Sequence, residues 1–171
     1  MMGQLIDGLL VLSRNHRAGL IIETLDMAAL VQDSWAALAA DRSGRQITLT
    51  VGDLPEAEGD ERMLRLVWTN LLQNAIKYTS KRSQALVSVT ADQRDGVVRY
   101  RVEDNGVGFD MKYADKIGQV FQRLHDGSEY PGTGIGMAGV QQVVLRHGGT
   151  LVVHGELEVG AAMEFSLWER R

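Results

Sequence analysis

Apolar residues recur at three- and four-residue intervals between positions 60 and 79, at Leu64, Trp68, Leu71, Leu72, Ala75 and Ile76, and this period predicts one amphipathic helix. Asp60 stands where an N-cap belongs, and Glu61 suits the first turn. Nearer the N-terminus, Met2, Leu5, Leu9 and Leu12, with Ile6 beside them, form a three-four-three seam. Two heptads serve a terminal helix lying on its own domain as readily as a coiled coil. After a polar stretch at 13–19, a short strand is expected at 20–23, a helix at 26–40 begun by Asp26, and an alternating strand at 46–51 closed by Asp53-Leu54-Pro55. Beyond the central helix, residues 85–91 and 97–104 alternate and are joined through Asp95-Gly96, a hairpin signal. Residues 114–124 carry helical apolar spacing in pieces, and 125–133 form a polar loop. A helix is expected at 137–146, then strands at 150–154 and 161–167.

On the central helix, Asn70, Asn74 and Lys77 fall in a narrow strip opposite the apolar positions. A solvated face is one account of them. Asn is a poor helix former, however, costing about half a kcal/mol against Ala, and wet helix faces usually carry Glu, Lys, Arg or Gln. The other account is a ligand. An amide oxygen can complete the shell of a hard cation held mainly by phosphates and water, and a Lys can neutralise those phosphates.

On the second hairpin strand, Val98, Tyr100, Val102 and Asp104 share one face, while Arg99, Arg101 and Glu103 take the other. Asp104 therefore ends an apolar face, where a carboxylate is costly unless a donor meets it; an exocyclic base amine would serve. Asp104-Asn105-Gly106 could instead open another hairpin, but the following Val107-Gly108-Phe109-Asp110 brings no matching return strand. A functional Asp is the better reading, since Gly106 and Gly108 allow a ligand close to the backbone. Gly132-Thr133-Gly134-Ile135-Gly136 leads directly into a helix, and free N–H groups at such a start suit phosphates.

The 171 residues allow one domain and a short appendage, and 44% apolar content supports a sizeable core. A net charge of -4 with scattered basic residues leaves no nucleic-acid footprint. The absence of cysteine excludes disulfides and thiolate metal sites, and no apolar run reaches bilayer length. A soluble, cytoplasmic chain without membrane contact is expected. Gly134-Ile135-Gly136-Met137-Ala138-Gly139 spells a dinucleotide fingerprint but follows a polar loop rather than a buried strand, which rejects it. There is no Gly-Lys pair for a P-loop, no Gly-x-Ser-x-Gly, and no metal spacing among the four histidines.

Four pieces stand in order: residues 70–79 (Asn-Leu-Leu-Gln-Asn-Ala-Ile-Lys-Tyr-Thr), 104–109 (Asp-Asn-Gly-Val-Gly-Phe), 121–124 (Phe-Gln-Arg-Leu) and 132–136 (Gly-Thr-Gly-Ile-Gly). Together they resemble the N, G1, F and G2 boxes of the sensor histidine kinase catalytic domain, within the wider family of gyrase, heat-shock chaperone and mismatch-repair ATPases. Glu129-Tyr130-Pro131-Gly132 looks most like the phytochrome-type kinases. The resemblance covers residues 20–171. It implies an α+β fold, a two-layer α/β sandwich of three main helices over a mixed, mainly antiparallel sheet (the Bergerat-type ATP-binding fold). It also implies ATP with Mg2+ as ligands. By this likeness Asn74 would ligate the metal, Asn70 and Lys77 would contact phosphates, and Tyr78 would pack near the base. Asp104 would accept the adenine amino group, Gly106 and Gly108 would shape the adenine floor, and Gly132, Thr133, Gly134, Ile135 and Gly136 would wrap the triphosphate. Phe121 and Arg123 would belong to a mobile lid, with Asn70, Lys77 and Arg123 serving catalysis.

Hydrolysing relatives carry a Glu at the place of Asn70, and a neutral amide cannot take a proton from water. That favours phosphoryl transfer to a protein nucleophile. His16 is followed by Arg17-Ala18-Gly19 rather than the acidic residue and nearby Pro of a phosphoacceptor site. The resemblance thus implies a domain separated from its phosphoacceptor: residues 1–14 as the end of a dimerisation helix, 15–19 as linker, 20–171 as the ATP-binding domain. Its partners would be that dimerisation domain in a homodimeric parent and a response regulator. Ala162 is expected where relatives often place a hydroxyl near the base. Two alternatives stay open: a degenerate ATP-binding domain in a mainly phosphatase-acting sensor, and an ATPase or serine kinase of the same fold.

Overall fold

The computed structural model describes residues 19–168 together with Ile6 and Ser13. The expected dimerisation helix over 1–14 otherwise lies outside the described residues. The elements follow as β1 (Glu23–Leu25), α1 (Met27–Ala37), β2 (Ile47–Val51), β3 (Ala57–Gly59), α2 (Glu61–Tyr78), β4 (Ala85–Arg94), β5 (Val97–Asp104), α3 (Gly136–Arg146), β6 (Leu151–Glu156) and β7 (Gly160–Ser166). Five strands form one sheet in the order β2-β4-β5-β7-β6, in which β2 and β4 run parallel and the other pairs antiparallel. β1 and β3 pair as a separate antiparallel ribbon.

Helix α2 is the spine. Asp60 caps it by accepting the Met63 N–H at 3.2 Å, and Met63, Leu64, Val67, Trp68, Leu71, Leu72, Ala75 and Ile76 form its buried stripe. Trp68 meets Phe165 of β7 and Tyr100 of β5 edge-on, with ring centroids 5.1 and 6.0 Å away, so the helix lies across the sheet's middle strands. The alternation of β5 holds: Tyr100 and Val102 are buried against α2, while Arg99 and Arg101 reach the other side. There Arg99 and Arg94 converge on Glu164, at 4.0 and 3.6 Å, so one sheet face is apolar and the other a charged lattice. The result is the two-layer sandwich with a mixed, mainly antiparallel sheet. The β4–β5 hairpin turns at Asp95 and Gly96, both at positive φ (53° and 78°), as a two-residue turn between twisted strands requires.

Several expectations change. The first strand lies at 23–25 rather than 20–23, and α1 ends at Ala37, followed by a 3-10 turn at Ala40–Arg42. β3 is too short to show a period of its own and exists by pairing with β1. The helical spacing at 114–124 yields only a 3-10 turn at Met111–Lys116. Gly118 (φ 90°) and Phe121 (φ 64°) interrupt the segment, and its apolar residues are half-buried or exposed, so no buried stripe sustains a helix. No helix among the described residues is long and apolar enough to cross a membrane.

Candidate functional site

Opposite its buried stripe, α2 presents Asn70, Asn74 and Lys77 to a cleft of about 750 Å³, closed by the end of β5 and by the segment leading into α3. Asn70 donates Nδ2–H to the Leu66 carbonyl at 2.9 Å, which leaves Oδ1 for the cleft. Oδ1 abuts the start of α3: a Cβ added to Gly136 would lie 2.6 Å from it, so only glycine lets the two helices meet this closely. The Lys77 ammonium sits 4.6 Å above the Tyr78 ring. Burial pushes its pKa below the ordinary lysine value, and the Arg123 guanidinium pushes further in the same direction. An enclosed cation beside another cation is an environment that an anion would relieve.

Asp104 closes the far end. Its Oδ1 accepts the Gly106 N–H at 2.8 Å, and the Ala161 N–H reaches the same carboxylate. Burial nevertheless raises its pKa from 3.8 to about 6, because two backbone donors do not fully replace water. The loop that follows is pressed onto its neighbours. A Cβ at Gly106 would lie 2.4 Å from the Tyr78 carbonyl oxygen, and one at Gly108 would overlap the Glu156 carbonyl. These glycines thus admit the chain's own backbone. Arg82 holds the loop in place, its Nε donating to the Asn105 carbonyl at 2.8 Å and its Nη2 to the Gly106 and Glu158 carbonyls at 3.0 and 2.6 Å.

The segment over the cleft is tied down by its own contacts. Phe121 donates its N–H to the Gly134 carbonyl at 3.1 Å, with its side chain half in solvent, and Arg123 donates to the Tyr130 carbonyl. Tyr78, His125 and Tyr130 form a ring triad with centroids 5.2–5.3 Å apart. His125 also bonds the Gly108 backbone, and burial lowers its pKa. Lys81 and Glu129 pair at 3.1 Å on the outside. α3 begins without a side-chain cap, so its first N–H groups are available at the cleft beside Gly132, Thr133, Gly134 and Ile135.

Asn70, Asn74, Lys77, Tyr78, Asp104, Gly108, Arg123 and the run 132–136 therefore line one cavity. Gly106 and Phe121 do not line it; both act there through backbone hydrogen bonds. Ala162 is corrected. The alternation of β7 puts Ala161 and Met163 on the cleft and Ala162 out of it, in register with Glu103 and His154. The sequence gives no site role to His125, Tyr130 or Arg82, since ring packing and carbonyl partners have no periodic signature. The donor set suits a nucleotide: amides and cations at one end, a carboxylate at the other, uncapped N–H groups between. No group of three or more His, Cys, Asp or Glu that could hold a metal occurs among the described residues. A cation at Asn74 would thus need ligands from elsewhere, as Mg2+ takes them from phosphates and water.

Residues 59–171 match the family described as histidine kinase-, DNA gyrase B-, and HSP90-like ATPase. The phytochrome-like protein Cph1 of Synechocystis sp. is 29% identical over 169 residues, which is 98% of this chain and 22% of that protein. Cyanobacterial phytochrome B of Nostoc sp. is 31% identical, over 97% of this chain and 22% of its own length. The chain thus spans less than a quarter of the length of these curated relatives. Among solved structures, full-length ShkA in complex with AMPPNP superposes with a TM-score of 0.78 at 28% identity, over 96% of this chain and 35% of ShkA.

Proposed function

The chain belongs to the histidine kinase-, DNA gyrase B- and HSP90-like ATPase family, and from that premise we propose that it is the ATP-binding catalytic domain of a phytochrome-type sensor histidine kinase. In this reading its parent moves the γ-phosphoryl of Mg-ATP to a histidine on a dimerisation domain, and from there to a response regulator. The observation that carries the reading is the convergence of Asn70, Asn74, Lys77, Asp104 and the 132–136 run on one cleft. The AMPPNP bound by ShkA supports a nucleotide as occupant.

Asp104 accepts the amino group of the base through whichever oxygen Gly106 and Ala161 leave available, and Tyr78 packs beside it. Lys77 and Arg123 offset phosphate charge, and the uncapped N–H groups at the start of α3 orient the phosphate chain. Asn74 would hold Mg2+, which would supply neutralisation of phosphate charge. Asn70 has its amino group committed to Leu66 and offers a neutral oxygen. It cannot act as a base on water, which favours transfer to a protein nucleophile over hydrolysis.

Calorimetry tests the site. Wild type is expected to bind Mg-ATP, and both variants to bind at least about tenfold more weakly, Asn74→Asp because it sets a new negative charge against the phosphates and Asp104→Ala because it removes the acceptor for the base amino group. Equal binding by all three refutes the site. For the transfer step, the parent's dimerisation domain supplied in trans is expected to become acid-labile phosphohistidine with labelled ATP. Steady phosphate release without labelled histidine would favour an ATPase instead.

A further inference from the structure

Tyr130 is buried, 1% exposed, and its hydroxyl has no hydrogen-bond partner among the described residues. An unpaired phenol in a protein interior is destabilising and asks for a partner. Ser34 and Trp68 also carry unpaired polar atoms, but neither lines the cleft, whereas Tyr130 does. The ring cannot easily turn its hydroxyl toward water. It packs on Tyr78 and His125, the Lys81 ammonium lies 5.4 Å from its centroid, and its carbonyl is held by Arg123.

Its place along the cleft is equally defined. On one side it touches Tyr78, which feels the Asp104 charge. On the other, Pro131 leads straight into the 132–136 run. Tyr130 thus stands between the end that reads the base and the end that holds phosphates.

Building on the nucleotide reading above, we propose that Tyr130 is a further nucleotide-binding residue, whose hydroxyl donates a hydrogen bond to an oxygen of the sugar–α-phosphate stretch. A hydroxyl donates a hydrogen bond without adding a further positive charge beside the Lys81 ammonium. The contact also gives a partner to a polar tip that the packing of the triad does not require, since phenylalanine would pack the same rings.

Tyr130→Phe removes that oxygen and leaves the rings. The whole chain, as wild type, Tyr130→Phe and Asn74→Asp, is titrated with Mg-ATP and Mg-ADP by calorimetry and melted without nucleotide. Tyr130→Phe is expected to weaken both nucleotides about tenfold, the scale of one hydrogen bond whose partner is left unmet, with an unchanged or higher nucleotide-free melting temperature. A loss confined to ATP, no loss, or a lower nucleotide-free melting temperature overturns the contact. Should wild type not bind, or Asn74→Asp bind as tightly as wild type, the nucleotide site itself fails. Should Asn74→Asp lose affinity while Tyr130→Phe does not, only the hydroxyl contact fails.

Discussion

Replacing Asp104 with Asn should stabilise the nucleotide-free protein while weakening nucleotide binding. Asp104 retains some surface, yet burial outweighs its two backbone donors and lifts its pKa from 3.8 to about 6. That rise corresponds to about 3 kcal/mol of charge-burial cost at neutral pH. Asn keeps the shape and one acceptor oxygen for the Gly106 N–H, but gives up the second acceptor oxygen of the carboxylate, at a cost of about 1 kcal/mol. The variant should therefore be more stable by about 2 kcal/mol at pH 7.5. Because the folded-state pKa lies above the unfolded one, the stability contributed by protonated Asp104 is complete below 3.8 and lost as pH rises through about 6. Between pH 7.5 and pH 5 wild type regains about 1.4 kcal/mol relative to the variant, and the gap nearly closes. Urea unfolding of both proteins at the two pH values measures this, and calorimetry with Mg-ATP measures the accompanying loss of affinity. A variant less stable than wild type at pH 7.5, a gap independent of pH, or undiminished binding would refute the reasoning.

Arg82→Ala leaves the Asn105, Gly106 and Glu158 carbonyls without their donor, so urea unfolding should show a loss of about 1–3 kcal/mol and calorimetry a weaker Mg-ATP complex, with Arg82→Lys intermediate because one ammonium cannot span three carbonyls. His147 is fully buried, its Nδ1 bonded to the Val143 carbonyl at 2.8 Å and its Nε2 accepting the Asp60 N–H at 3.0 Å, and burial lowers its pKa. The folded-state pKa lies below the unfolded one, so the stability it contributes is present above about 6.5 and lost as pH falls through the folded value. In the Asp104→Asn background, where the opposing titration is gone, His147→Gln should flatten the acid-side fall in the urea midpoint; an unchanged slope would show that another group causes it.

Wherever a residue's role depends on a short repeating interval, it was readable in one dimension. The α2 stripe, the Asp95-Gly96 turn, the apolar face ending in Asp104 and the glycine run before α3 are of this kind, and each lies within a residue or two of its expected place. Local periods also misled. Helical spacing at 114–124 meets no sheet to bury it, and the family likeness, not a local period, puts Ala162 near the base where the alternation of β7 gives that place to Ala161. A one-residue slip inverts every side chain of a strand, and it is pairing with neighbouring strands that fixes the register.

What this chain's sequence determined by itself is the set of local conformations and the chemical types placed on them: a capped helix with two amides and a lysine, a strand ending in a carboxylate, a glycine turn. Only the tertiary structure decided that these meet around one cavity, that Arg82 clamps the loop beside Asp104, and that Tyr130 lies beneath the surface with its hydroxyl unpaired among the described residues. The reason is physical. Backbone carbonyls, ring stacking and desolvation act between segments many residues apart, and their energies exist only once the sheet has brought those segments together.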